Sequence, residues 1–156
     1  MTPQEIAEAL SALVQLDVDA VVAHDRGIAA VGDGPIATRL AHFKLDHQRH
    51  VVELSRALLD LSVRPPHAQP DMKGTLLGGV TALRARLGVE QALLAMRTNE
   101  RMTAGTYARA LAKPLPGPLL ELVRRADADE QRHLAWIERA IDGRSWEEQA
   151  GAGVQE

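Results

Sequence analysis

The chain contains no cysteine, one phenylalanine, one tyrosine and two tryptophans among its 156 residues. Without cysteine there is no disulfide, no thiolate metal ligand and no thiol nucleophile, and the redox state of the compartment leaves no mark. So few aromatics remove the stacking platform that single-stranded nucleic acid needs. No block of Lys or Arg stands alone and the net charge is −3, which argues against a phosphate-binding face. No apolar stretch approaches the roughly 18 residues of a membrane span. The first residues lack the basic-then-apolar pattern of a secretory signal. A cytoplasmic protein that engages neither nucleic acid nor membrane is expected. Phosphate loops and nucleophilic triads are missing too: Gly78-Gly79 is not followed by Gly-Lys-Ser/Thr.

The hydrophobic residues are mostly Ala, Leu and Val, a composition that favours closely packed helices over an all-β domain. Thr2-Pro3-Gln4-Glu5 reads as a capping box with proline at the first helical position. Ile6, Leu10, Leu13, Leu16, Val21 and Ile28 then recur at helical spacing, carrying helix one to Val31, where Gly32-Asp33-Gly34 breaks it. Pro35 opens a second helix, which continues through Leu40, Phe43, Leu54 and Leu58 to Leu61. The proline-rich segment from Arg64 to Pro70 reads as a connector. A short extra helix is expected over 75–87, a third long helix over 89–112 and, after Pro114-Leu115-Pro116-Gly117-Pro118, a fourth over 119–141. Residues 1–143 thus form one domain, with 144–156 a short, loosely held tail in which 145–148 add at most one turn. Two short connections and one long one make a ferritin-like four-helix bundle: two antiparallel pairs joined by a crossover.

The two pairs resemble each other. Asp46-His47-Gln48-Arg49-His50 in the second helix matches Asp129-Glu130-Gln131-Arg132-His133 in the fourth, differing only where His47 stands against Glu130. In the preceding helices Asp17 lies seven residues before His24, and Glu100 seven before Tyr107. Counting at about 1.5 Å per residue puts all of these near 20 Å from the connecting turns, at one level of the bundle. Asp17, His47, His50, Glu100, Glu130 and His133 are therefore the expected metal ligands. Glu-x-x-His from two helices with a carboxylate from each of the others is the di-iron carboxylate constellation. Its oxygen and imidazole donors suit iron, with manganese or zinc as alternatives.

On these residues, together with Met96-Arg97-Thr98-Asn99-Glu100 and Ala126-Asp127-Ala128, the chain resembles the ferritin-like superfamily that includes rubrerythrins and bacterioferritins. It is most similar to a branch of small bacterial ferritin-like proteins, and the resemblance covers about residues 3–142. It implies iron binding and a weak ferroxidase or peroxidase activity in iron or oxidative-stress handling, carried by Glu100, Glu130 and His133. By the same resemblance, Asp46 would orient His133 and Asp129 would orient His50, each accepting the imidazole N–H that faces away from the metal. Tyr107 would bond a ligating carboxylate, and His24, at the position equivalent to Tyr107, would support the centre or pack in the core.

The chain departs from the family pattern at two positions. His47 stands where the family has a second glutamate, and Asp17 is a shortened ligand. Three carboxylates supply about −3 against +4 for two ferrous ions, an imbalance that is costly to bury. Asp19 is turned about 200° away along the helix and is a poor substitute. Function therefore stays open between an iron-binding protein and a metal-free helical interaction module that has lost the centre. A hemerythrin-type set beginning at His42 and Asp46 lacks further histidines at matching depth, and His67 is expected to face solvent. Trp136 and Ile137 read as core or dimer packing. A homodimer through Ala-rich faces fits better than a storage shell, because the tail is unsuited to a fifth shell-forming helix.

Overall fold

The computed structural model describes residues 1–67 and 88–152 of the chain. The expected extra helix over 75–87 lies outside them. The described residues hold four long helices, α1 (Pro3–Val31), α2 (Pro35–Asp60), α3 (Val89–Leu111) and α4 (Gly117–Asp142), and a short α5 (Ser145–Ala152).

Local chemistry explains the ends. Thr2 Oγ1 accepts from the Glu5 amide at 3.2 Å, and the Thr2 amide donates to Glu5 Oε2 at 2.7 Å, closing the capping box that starts α1. Gly32 and Gly34 adopt φ of 69° and 145°, conformations that side chains resist, so α1 turns into α2 within three residues. The end of α2 is a Schellman motif with Ser62 in the left-handed region: the Ser62 amide bonds Leu59 O at 2.8 Å and the Val63 amide bonds Leu58 O at 2.9 Å. Helix α4 starts at Gly117, earlier than the expected residue 119, because Pro118 sits in the first turn where no amide donor is needed.

The tail holds more helix than the single expected turn. Arg144, at φ 49°, redirects the chain into the eight residues of α5. Trp146 packs on the core cluster around Ile137, the Arg144 guanidinium lies 5.4 Å from its ring centre, and Arg144 pairs with Glu147 at 2.7 Å. A sequence count of caps could not register that anchoring.

The helices pack pairwise within the α1–α2 and α3–α4 hairpins, with α1 also against α3 and α2 against α4. One apolar cluster joins Ile6, Leu10, Leu13, Leu54, Leu58, Tyr107, Val123 and Ala126. A second, at the other end, joins Val31, Ile36, Leu40, Phe43, Leu93, Met96, Ile137 and Ala140. This membership fixes direction: α1 is antiparallel to both α2 and α3, while α2 and α3 run the same way, so α2 ends and α3 begins at opposite ends of the bundle. The α1–α3 approach is close at Gly27, where an added Cβ would meet Met96 Sδ at 2.7 Å. Between the two apolar clusters lies a buried polar layer. No helix among the described residues is long and apolar enough to cross a membrane.

Candidate metal centre

Each long helix contributes two or more side chains to the polar layer, on one face by helical spacing. Helix α1 brings Asp17 and His24, α2 brings His47 and His50, α3 brings Glu100 and Tyr107, and α4 brings Glu130 and His133. None of these eight is more than 1% exposed. Two groups have ligand atoms within 4.8 Å of one another: Asp17, His47, His50 and Glu130, and His47, Glu100, Glu130 and His133. His47 and Glu130 belong to both. All six residues expected as ligands are therefore brought together.

The contacts within the first group are short. His47 Nδ1–H donates to Asp17 Oδ1 at 2.8 Å, and the two Nδ1 atoms of His47 and His50 lie 3.4 and 3.3 Å from Glu130 Oε1. In the second group, His47 Nε2 is 3.6 Å from Glu100 Oε1, and His133 Nδ1 is 3.6 Å from Glu100 Oε2 and 3.9 Å from Glu130 Oε2.

Around these sit the groups that orient them. His50 Nε2–H donates to Asp129 at 3.0 Å and His133 Nε2–H to Asp46 at 3.0 Å, each across the α2–α4 boundary. Arg49 bonds Asp129 and lies 3.1 Å from Asp46, so it ties the two acids together; Arg132 also bonds Asp129. Tyr107 donates its hydroxyl to Asp17 Oδ2 at 2.5 Å, and His24 Nδ1–H donates to Ala20 O at 2.9 Å. Phe43 stacks on the His133 ring at 4.2 Å. Sequence reading missed Phe43 and the bridging part of Arg49. The signal for Phe43 was its position four residues before His47, on the same helical face.

Other candidates lie elsewhere. His42 and His67 are exposed, which removes the hemerythrin-type set. Asp19 belongs to neither ligand group and accepts from Gln15 at 3.2 Å. Trp136 is half-buried with Arg39 5.8 Å from its ring centre, and Ile137 is a core residue.

Burial opposes charge on every group here, and pairing decides which ones carry it. Burial works against ionised Asp17, but hydrogen bonds from His47 and His50 outweigh it and hold the carboxyl below its usual range. Glu100 is likewise held well down against burial by His133 and His47. Burial disfavours charged His47, yet Glu130, Asp17 and Glu100 raise it well above the ordinary value. His50 is raised to about 10 against burial, chiefly by Asp17 and Glu130. Glu130 is raised, by burial first and by Glu100 and Asp17 as well. Burial brings His24 down to about 4, outweighing Glu100, and pushes the Tyr107 hydroxyl up, with Asp17 adding to it. His47 and His50 are thus held toward their charged forms, and Asp17 and Glu100 toward theirs, by one another.

Hydrogen bonding leaves this layer incomplete. His24 Nε2, His47 Nε2, His133 Nδ1 and both carboxylate oxygens of Glu100 and Glu130 are buried without a hydrogen-bond partner. Each such atom costs roughly 1–3 kcal/mol. Seven converging on one layer fit donors for cations, and the oxygen and imidazole set suits iron, manganese or zinc. Beside His50 a surface cavity of about 360 Å³ opens, lined by Arg49, Glu53, Arg125, Asp129 and Arg132 among others. No protein-family model matches the chain, no curated protein matches it, and no solved structure matches it.

Proposed function

We propose that the chain is a ferritin-like protein whose mid-bundle layer holds two transition-metal ions, iron foremost, with a weak ferroxidase or peroxidase activity. The observation that carries this reading is the set of seven unpartnered buried donor atoms contributed by all four long helices. Asp17, His47, His50 and Glu130 would hold one ion; His47, Glu100, Glu130 and His133 would hold the other. Bound iron would supply one-electron chemistry toward oxygen or peroxide. The chain's own part is positional. Asp46 and Asp129 fix His133 and His50 with their Nδ1 atoms inward, Tyr107 fixes Asp17, and the two apolar clusters exclude solvent above and below. Glu100, Glu130 and His133 are the residues of the second ion on which activity depends.

Three arginines, Arg49, Arg125 and Arg132, rim the cavity beside His50. Glu53 and Asp129 line the same cavity and pair with these arginines, so the approach to His50 is a rim of paired charges. Self-association is assigned to the outer face of α2, where Leu45, Val52 and Leu59 stand seven residues apart and are 60%, 69% and 58% exposed, the spacing of a helix-pairing seam.

Elemental analysis of protein purified without chelator, followed by anaerobic ferrous titration, tests the reading. Two equivalents in the wild type and none in a Glu130→Ala, His133→Ala double variant are expected. Metal retained by that double variant would disprove the ligand assignment.

One observation favours the metal-free scaffold as a second reading. His47 and His50 are raised by pairing with Asp17, Glu100 and Glu130 without any ion. That reading predicts a melting temperature indifferent to ferrous iron, whereas a bound ion raises it.

A further inference from the structure

His50 and His133 share a signature. One ring nitrogen is tied outward to an oxygen of the protein, which leaves the other facing the carboxylates of the layer. This is how proteins present imidazole to a metal. His24 has the same signature. Its Nδ1 lies 2.9 Å from Ala20 O, an atom that can only accept, so Nδ1 carries the proton. Its Nε2 is buried, has no hydrogen-bond partner and faces Glu100 Oε1 at 3.4 Å. A contact of that kind is completed by an electrophile, a proton or a metal ion, shared between the two atoms.

The spacing suits a shared ion. Two donors about 2.0–2.1 Å from one ion at a roughly tetrahedral angle are about 3.3–3.4 Å apart. A second unpartnered imidazole nitrogen, His47 Nε2, lies 3.6 Å from the same Glu100 oxygen, and the rings of His24 and His47 are 4.8 Å apart. Glu100 Oε1 thus has two ring nitrogens beside it, and Glu100 Oε2 has His133 Nδ1.

Resting on the two-ion reading above, we propose that His24 is itself a metal ligand, joining Glu100, Glu130 and His133 around the second ion while His47 serves the first. Each position then has two imidazoles and two carboxylates: His47 and His50 with Asp17 and Glu130 at the first, His24 and His133 with Glu100 and Glu130 at the second. His24 thus supplies the second ion with the imidazole that His47 gives to the first.

Cobalt(II) titration of metal-free protein, followed by calorimetry and by the visible d–d bands, tests this. Wild type takes two equivalents. His24→Leu keeps the first unchanged and loses affinity for the second by about 100-fold or more, beyond the range of orienting residues, and the d–d spectrum of the second equivalent changes. Two equivalents with unaltered affinity and spectrum in His24→Leu overturn the proposal while leaving the two-ion reading intact. No binding in the wild type overturns both. Wild-type protein labelled with 15N in histidine gives a readout that needs no variant. The His24 Nε2 resonance shifts as the second zinc equivalent binds, and a resonance that stays in place refutes the assignment.

Discussion

In the chain without metal, protons hold the places that a cation would take. His47 and His50 carry charge because Asp17, Glu100 and Glu130 surround them, and an ion bound to the first group must displace both Nδ1 protons. His50 titrates at about 10. Removing its proton at pH 7 spans about three units at 1.36 kcal/mol each, on the order of 4 kcal/mol, or about a thousandfold in apparent affinity. Two displaced protons make the apparent dissociation constant fall about a hundredfold per pH unit between pH 7 and 8. The assay is competition for Co(II) against a chelator of known pH behaviour, with an indicator counting protons released in weak buffer. About two protons should leave with the first ion. An affinity that changes less than about threefold per unit, with no proton release, would refute the charge assignment in the layer.

Three further outcomes are expected. Asp129→Asn and Asp46→Asn should each weaken metal binding by about 10–100-fold with helix content unchanged; equal affinity in both variants would deny the orienting role given to these acids. Stability of the metal-free chain should fall at both ends of the pH scale. The His50 contribution is complete below about 6.5 and is lost as pH rises through about 10. The Asp17 and Glu100 contributions are present above about 4 and are lost as pH falls; a urea midpoint that stays level from pH 6 to 10 would contradict this. Ile137→Ala, at a site 0% exposed, should cost about 2–5 kcal/mol, while Met102→Ala, at 37% exposure, should change stability by no more than about 0.5 kcal/mol. Similar urea midpoints for the two variants would show that the second apolar cluster is not tightly packed.

Much of this was legible because helices write their limits and faces locally. The capping box at Thr2, the glycines at 32 and 34, and the repeated Asp-x-Gln-Arg-His pattern are short-range signals, and counting residues from the turns set the layer's height. The partners of His50 and His133 were an expectation from the family resemblance, and the two acids do bond those rings. What stayed hidden depends on three dimensions. His24 and Tyr107 match by position and each reaches the carboxylate of the other helix, His24 toward Glu100 and Tyr107 to Asp17, but which of centre or core His24 joins depends on how closely α1 and α3 pack. Phe43 over His133 and Arg49 across Asp46 and Asp129 depend on the α2–α4 approach. The anchoring of α5 through Trp146 depends on a surface that exists only once the bundle has formed.

The two apolar clusters stay separate: one joins Ile6 through Ala126 at one end, the other Val31 through Ala140 at the opposite end, and the layer of buried ionisable side chains lies between them. Each end therefore has its own dry interior, and specification of the fold is divided between two lobes that the waist does not supply. Chemistry at the waist is correspondingly free to vary. A glutamate exchanged for a histidine there alters which ion is preferred without disturbing the hydrophobic register that aligns the helices. The architecture works as a chassis with an interchangeable middle, and an engineer could rewrite its ligands one layer at a time.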